Sequence, residues 1–255
     1  MTKRRPYLFL ALVLAASVPF YLLNAIDVTM PLGLPPSALM IVVPFAGAAI
    51  LLSREGGRSA LAEWSAAAVD VRSARPGWLA VAILAPVALS GLAYVITGVT
   101  HPATAQRGPL EASLTVVLAI YLAYWLGAIL EELGWTTYVT PPLQERHGVL
   151  GAGILIGVVW AAWHVIPWLA MGRSVRWVVL QCLVTIGLRV VMGLIFQRSG
   201  GATSTAIFFH AGINAAPQIL PGGFDAYDPG AYAIVVWLTV LAAALMTQLT
   251  QQRRS

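Results

Sequence analysis

The chain has 255 residues, of which 59% are hydrophobic and 10% charged, and it carries a formal net charge of +5. An average soluble domain is about 25% charged, so this composition excludes a soluble globular enzyme and points to a membrane protein. The positive excess needs no nucleic-acid partner, because an anionic inner leaflet accounts for it.

Apolar runs bounded by Gly, Pro or charge recur at 7–23, 37–53, 78–99, 113–139, 149–171, 176–197, 203–220 and 231–250. Helices and closed barrels are the two ways to satisfy every backbone polar group in lipid, and these runs are far longer than barrel strands. The expected fold is an all-α, polytopic membrane helix bundle of about eight transmembrane helices. The first run follows a basic start, "MTKRRPYLFL", as a signal peptide would, but its length and the even span count favour a retained anchor.

The longest polar connector, at 54–76, places Leu61, Trp64, Ala68 and Val71 on one helical face, which predicts a short amphipathic helix on the inner membrane surface. With the N-terminus inside, the inner segments hold Lys3, Arg4, Arg5, Arg54, Arg58, Arg72, Arg75, Arg146, Arg198, Arg253 and Arg254, and the outer loops hold Arg107, Arg173 and Arg176. That bias places both termini in the cytoplasm and makes the chain a multi-pass protein of the cell (plasma) membrane. The lipid bilayer is its first partner.

At the inner end of the fourth run, "AILEELGWTTYV" sets Glu131 beside Glu132. Adjacent residues lie about 100° apart around a helix, so one carboxylate is expected to face a reaction centre and the other a neighbouring helix. Two close, partly desolvated carboxylates resist ionising together, which suits one of them to general-base work. The alternative is a pair reaching to the inner boundary.

In the fifth run, "WAAWHVIPWLA" places Trp160 one turn before His164, with Pro167 beyond. Trp168 and Trp177 bracket the next outer turn, as interfacial anchors do. The sixth run holds the single cysteine, Cys182, so no internal disulfide is possible, and it also holds Arg189. In the seventh, "HAGIN" puts His210 and Asn214 on one face, where two polar groups can be aimed at one oxygen. Each of these groups costs a few kcal/mol at membrane depth and so marks a functional candidate. His101 and His147 read as solvated loop residues, and the outer loop "PGGFDAYDPG" as a turn.

At these residues the sequence resembles the CAAX prenyl endopeptidases and bacteriocin-processing or immunity proteins, a family of glutamate-type intramembrane proteases. Its pattern reads EExxxR, then an aromatic followed by xxxH, then HxxxN or HxxxD, on successive helices. Here the pieces are "EELGWT", "WAAWH" and "HAGIN", spread over roughly 113–220. The resemblance implies that Glu131 activates water with help from His164, and that His210 and Asn214 stabilise the oxyanion. It makes Glu132 the supporting carboxylate and puts Trp160 in place of the usual Phe. The pattern's arginine falls at Thr136, which brings a hydroxyl but no charge.

Arg189 is expected to replace that arginine, since it and Glu131 both lie about 12 Å from the inner surface at 1.5 Å per residue. The alternative is that Arg189 snorkels to that surface. By the same count His164 lies deeper, about 22 Å in.

The chain thus divides into a three-span segment at 1–112, a catalytic-type core at 113–220, and a last span with a basic tail at 221–255. The leading function is an endopeptidase hydrolysing a peptide bond of a membrane-tethered substrate, prenylated or not, near the cytoplasmic face and without a cofactor. The small residues of "GAGILIGVVWAA" are expected to leave room for water and substrate. A zinc enzyme using the two histidines and a glutamate is a second reading. A third is an inactive family member serving as an immunity protein or membrane scaffold, which the threonine at position 136 favours.

Overall fold

The computed structural model describes residues 4–26, 34–101 and 113–252. Among these residues the chain is all-helical, with α1 (Pro6–Leu22), α2 (Val42–Ala66), α3 (Pro76–Thr100), α4 (Leu114–Glu132), α5 (Thr140–Ala170), α6 (Val175–Arg198), α7 (Thr203–Ile219) and α8 (Pro229–Gln252). All but α7 are long and apolar enough to cross a membrane, which makes this a multi-pass membrane protein. α1 reaches that length through a 3-10 turn that carries it on to Ala25, whereas α7 stops at 17 residues, about 25 Å at 1.5 Å per residue. It runs inside the protein, with Thr205, Ala206, Ile207, Phe209 and Ala211 wholly buried, so seven helices qualify as spans where about eight were expected.

Successive helices run antiparallel between two faces, and contacts tie each face together. On one, which carries Arg4, Arg5, Arg54, Arg58, Arg72, Arg75, Arg146 and Arg198, Tyr138 Oη donates to Glu55 at 2.9 Å, Thr137 and Thr203 share a hydrogen bond of 2.9 Å, and Arg75 N donates to Ser199 O at 3.1 Å. On the far face Ser37 N donates to Asn24 Oδ1 at 3.0 Å, and His101 lies 4.0 Å from Asp228.

The connector at 54–76 is helical as far as Ala66, where it forms the end of α2, as its periodicity predicts, but it turns inward. Gly57 (φ 66°, ψ −154°) takes a backbone conformation nearly confined to glycine, and there the helix breaks and folds back. Trp64 is then buried against Phe45, with its Nε1 donating to Leu133 O at 2.7 Å. Leu61 and Ala68 also face the core, whereas Val71 is exposed.

The glycines of the fifth span serve packing rather than space. A Cβ at Gly153 would lie 2.8 Å from Val190 Cα, and one at Gly157 the same distance from Ile186 Cα. Small residues here let α5 and α6 close to near backbone contact. α5 also starts earlier than its apolar run, at Thr140, and breaks at Gly148 (φ 69°). His147 is therefore helical, and its Nε2 lies 2.6 Å from Tyr7 Oη.

Candidate active site

Directly after Glu132, α4 widens into a π-helical turn, Leu133–Tyr138. Such turns recur at functional sites because they re-aim side chains without ending the helix. Gly134 makes the turn possible, since a Cβ there would lie 2.6 Å from Pro44 O.

The two glutamates diverge as the helical angle requires. Glu132 is wholly buried and accepts from both terminal nitrogens of Arg189 on α6, Nη1 to Oε2 at 2.8 Å and Nη2 to Oε1 at 3.0 Å. Thr136 Oγ1 donates to the same Oε2, and His210 Nδ1 lies 2.8 Å from Oε1. A buried charge persists only when paired and hydrogen-bonded, and the two-pronged Arg–carboxylate geometry is the strong form of that pairing. Arg189 is 1% exposed, so it stays in the core rather than reaching the membrane surface. Its Nη1 also lies 3.4 Å from Thr136 Oγ1.

Glu131 turns toward α5 and accepts from Trp160 Nε1 at 2.9 Å. The same indole organises its surroundings on three sides. The Arg189 guanidinium lies 4.2 Å from its ring centroid, and the rings of His164 and His210 meet it nearly at right angles, at 5.4 and 5.1 Å.

Hydrogen bonding fixes the histidine tautomers. His164 Nδ1 lies 2.8 Å from Trp160 O, and a carbonyl can only accept, so Nδ1 carries the proton and Nε2 keeps a lone pair in the neutral ring. The imidazole is stacked on Trp168 at 5.2 Å and meets the edge of Trp163 at 4.8 Å, which locks its orientation. His210 likewise donates through Nδ1, because Glu132 is ionised by Arg189 and can only accept.

Glu131, Trp160, His164, His210 and Asn214, from α4, α5 and α7, line one cavity of about 130 Å³. At about 30 Å³ per molecule that is room for some four waters. Glu132 and Arg189 lie behind its wall. The difference in depth between Glu131 and His164 is absorbed by Trp160, which meets Glu131 one turn below the imidazole.

The sequence reading missed the rest of the lining. Gln181 and Thr185 on α6, Tyr227 just before α8 and Tyr232 in its first turn all contribute, and Trp168 and Trp177 are part of the wall as well as anchors. Tyr227 Oη donates to Gln181 Oε1 at 2.7 Å, and burial pushes this phenol well above the usual tyrosine range, which keeps it a donor. A signal for α6 existed: Trp177, Gln181, Thr185 and Leu188 recur on one helical face, and two of them are polar at membrane depth.

Among the described residues, no three His, Cys, Asp or Glu side chains are gathered closely enough to hold a metal ion. Both histidines and Glu131 line the same space. Cys182 is half-buried and a free thiol.

No curated protein matches the chain. The family model described as Type II CAAX prenyl endopeptidase Rce1-like matches residues 112–216. That stretch is somewhat under half of the chain, and it contains Glu131, Glu132, Trp160, His164, Arg189, His210 and Asn214. Over this segment the chain is similar to the Rce1-like type II CAAX prenyl endopeptidases.

Proposed function

We propose that the protein is an intramembrane endopeptidase of the glutamate type, acting on a membrane-associated peptide. Glu131 takes a proton from a water held between it and the Nε2 lone pair of His164. The resulting hydroxide attacks the scissile carbonyl carbon. The carbonyl oxygen becomes an oxyanion facing the Asn214 amide and His210 Nε2, and as the C–N bond breaks the proton held by Glu131 passes to the leaving amine.

For Nε2 to donate to the oxyanion, His210 needs a second proton, because its Nδ1–H is held by Glu132. Its Nδ1–H then stays on Glu132 and its Nε2–H is free to donate, while two carboxylates offset the imidazolium and Arg189. Preorganised donors in a water-poor site are worth far more than in bulk solvent. Glu132 and Arg189 act through His210 by fixing its ring, and Trp160 acts through Glu131.

The observation that carries this reading is the single cavity lined by Glu131, His164, His210 and Asn214. The inactive, scaffold-like reading drew its strength from Thr136. With Arg189 seated on Glu132, the missing arginine no longer argues for it. The test is a comparison of the membrane proteome of cells carrying the wild-type chain or Glu131→Gln. At least one terminus should appear only with the intact carboxylate, and identical profiles would refute the assignment.

A further inference from the structure

We infer that a hollow on the arginine-rich face, lined by Arg4, Arg5 and Arg146, is a binding site for the phosphate of an anionic phospholipid. It shares no lining residue with the Glu131 cavity, and the inference does not depend on the endopeptidase reading.

The hollow has a volume of about 420 Å³, and its walls are Arg4, Arg5, Pro6, Tyr7, Leu8 and Arg146. Two stretches far apart in the chain thus bring three guanidiniums to one space, where their like charges repel. Among the described residues none of the three is in an ion pair with a carboxylate. The acidic groups that act on Arg4 from longer range are Glu55, which accepts from Tyr138 Oη at 2.9 Å, and the exposed Glu145. Arg54 and Arg58 are equally exposed on this face but take no part in the convergence.

The arms of the site are held in place, yet donors are left over for a ligand. Arg4 is half-buried, and its Nη1 donates to Thr137 O at 2.5 Å and to Tyr138 O at 3.3 Å, while Arg5 N donates to Tyr138 Oη at 3.1 Å. The Arg146 guanidinium lies 5.5 Å from the centroid of the Tyr7 ring, whose hydroxyl is 2.6 Å from His147 Nε2. Among the described residues neither the Arg5 nor the Arg146 guanidinium makes a hydrogen bond within the protein. Their N–H groups match the oxygens of a phosphate, which a guanidinium meets two at a time.

The position of the hollow selects a lipid as the source of that phosphate. α1 begins at Pro6 as an apolar span, so the three cations stand where this helix meets the membrane surface, at the level of lipid headgroups. From there Leu8, Ala11 and Ala15 follow one another on one exposed face of α1, apolar surface against which an acyl chain can lie. A soluble phosphate compound makes no use of that strip. A bound headgroup offsets the repulsion among the guanidiniums and so steadies Arg4 against the carbonyls that end the π-helical turn.

The test titrates the purified full-length chain in detergent with phosphatidylglycerol or phosphatidylcholine, counting bound lipid by native mass spectrometry and reading the thermal unfolding midpoint. Arg5→Gln/Arg146→Gln removes two guanidiniums from the hollow but leaves the bonds of Arg4 in place. Arg54→Gln/Arg58→Gln removes the same charge elsewhere on that face. The expected result is that the wild type prefers phosphatidylglycerol, that the first variant binds it about tenfold or more weakly, and that the second binds it like the wild type. Phosphatidylglycerol should raise the midpoint of the wild type and of the second variant, and not of the first. Should the first double variant not fold, Arg146→Gln alone, at an exposed side chain, gives the same comparison at smaller size. The inference is overturned if the wild type does not distinguish the two lipids, if the first variant binds as the wild type does, or if both variants weaken equally, which leaves only a general attraction of the face. It is also overturned if inorganic phosphate at matched concentration displaces the lipid, since the ligand is then a soluble phosphate. Binding needs no turnover, so its failure is separate from a failure to find Glu131-dependent cleavage.

Discussion

Arg189 and Glu132, on α6 and α4, form a two-pronged ion pair with contacts of 2.8 and 3.0 Å, buried to 1% and 0% exposure. Removing one member of a buried pair strands the other charge and costs about 3–5 kcal/mol. Arg189→Ala should therefore lower the unfolding midpoint in detergent markedly. Arg189→Lys should recover less than full stability, because an ammonium cannot present the planar fork. Adding Thr136→Arg to Arg189→Ala should restore part of the loss, since it returns a guanidinium to the residue one turn beyond Glu132. Unchanged stability in Arg189→Ala would remove the case that this arginine replaces the one missing from position 136.

Trp160→Phe keeps a ring against Arg189, His164 and His210 but removes the donor to Glu131. A hydrogen bond to a charged group contributes about 1.5–3 kcal/mol. The variant should remain folded while kcat/KM drops by about tenfold or more, that energy expressed as a rate. Wild-type kinetics would mean that the indole N–H does not position the carboxylate.

The same substitution should have opposite consequences at two glycines. Gly134→Ala drives a Cβ to 2.6 Å from Pro44 O, whereas the Cβ of Gly91→Ala meets nothing within 4 Å. Overpacking costs about 1–3 kcal/mol and more where backbone is struck, so Gly134→Ala should lose folded protein and Gly91→Ala should shift stability by under about 1 kcal/mol. Thermal unfolding of the two purified variants decides it.

Tyr227 predicts a pH dependence. Burial holds its phenol above the ordinary value of 10.0 in the folded protein. Because the folded-state value is the higher one, the contribution is present below about pH 10 and lost as pH rises above it, where the unfolded chain ionises first. Tyr227→Phe should cost about 1 kcal/mol at neutral pH through the lost bond to Gln181. Its stability should fall less steeply than wild type above pH 10, as read by unfolding midpoints across an alkaline series. Parallel curves would contradict the assignment.

What the sequence made legible was governed by cost. Charged and strongly polar side chains at membrane depth are expensive, so Glu131, Glu132, His164, Arg189, His210 and Asn214 stood out, and the angle between adjacent helical residues foretold that the glutamates would part. Residues that are cheap in lipid left no such mark. Trp168 and Trp177 had a sufficient explanation as interfacial anchors, and Tyr227 and Tyr232 lay beside a loop read only for its turns. The inward fold after Gly57 depends on one glycine conformation and on the acceptor at Leu133 O, neither of which periodicity can reveal.

The most direct measurement is cleavage of one identified peptide by purified wild-type, Glu131→Gln, His164→Ala and the double variant in lipid vesicles. If these side chains work on one water as a unit, each single variant loses at least about a thousandfold in kcat/KM and the double is no slower than the worse single. Retention of wild-type turnover by Glu131→Gln, or losses that simply multiply in the double variant, would contradict the account.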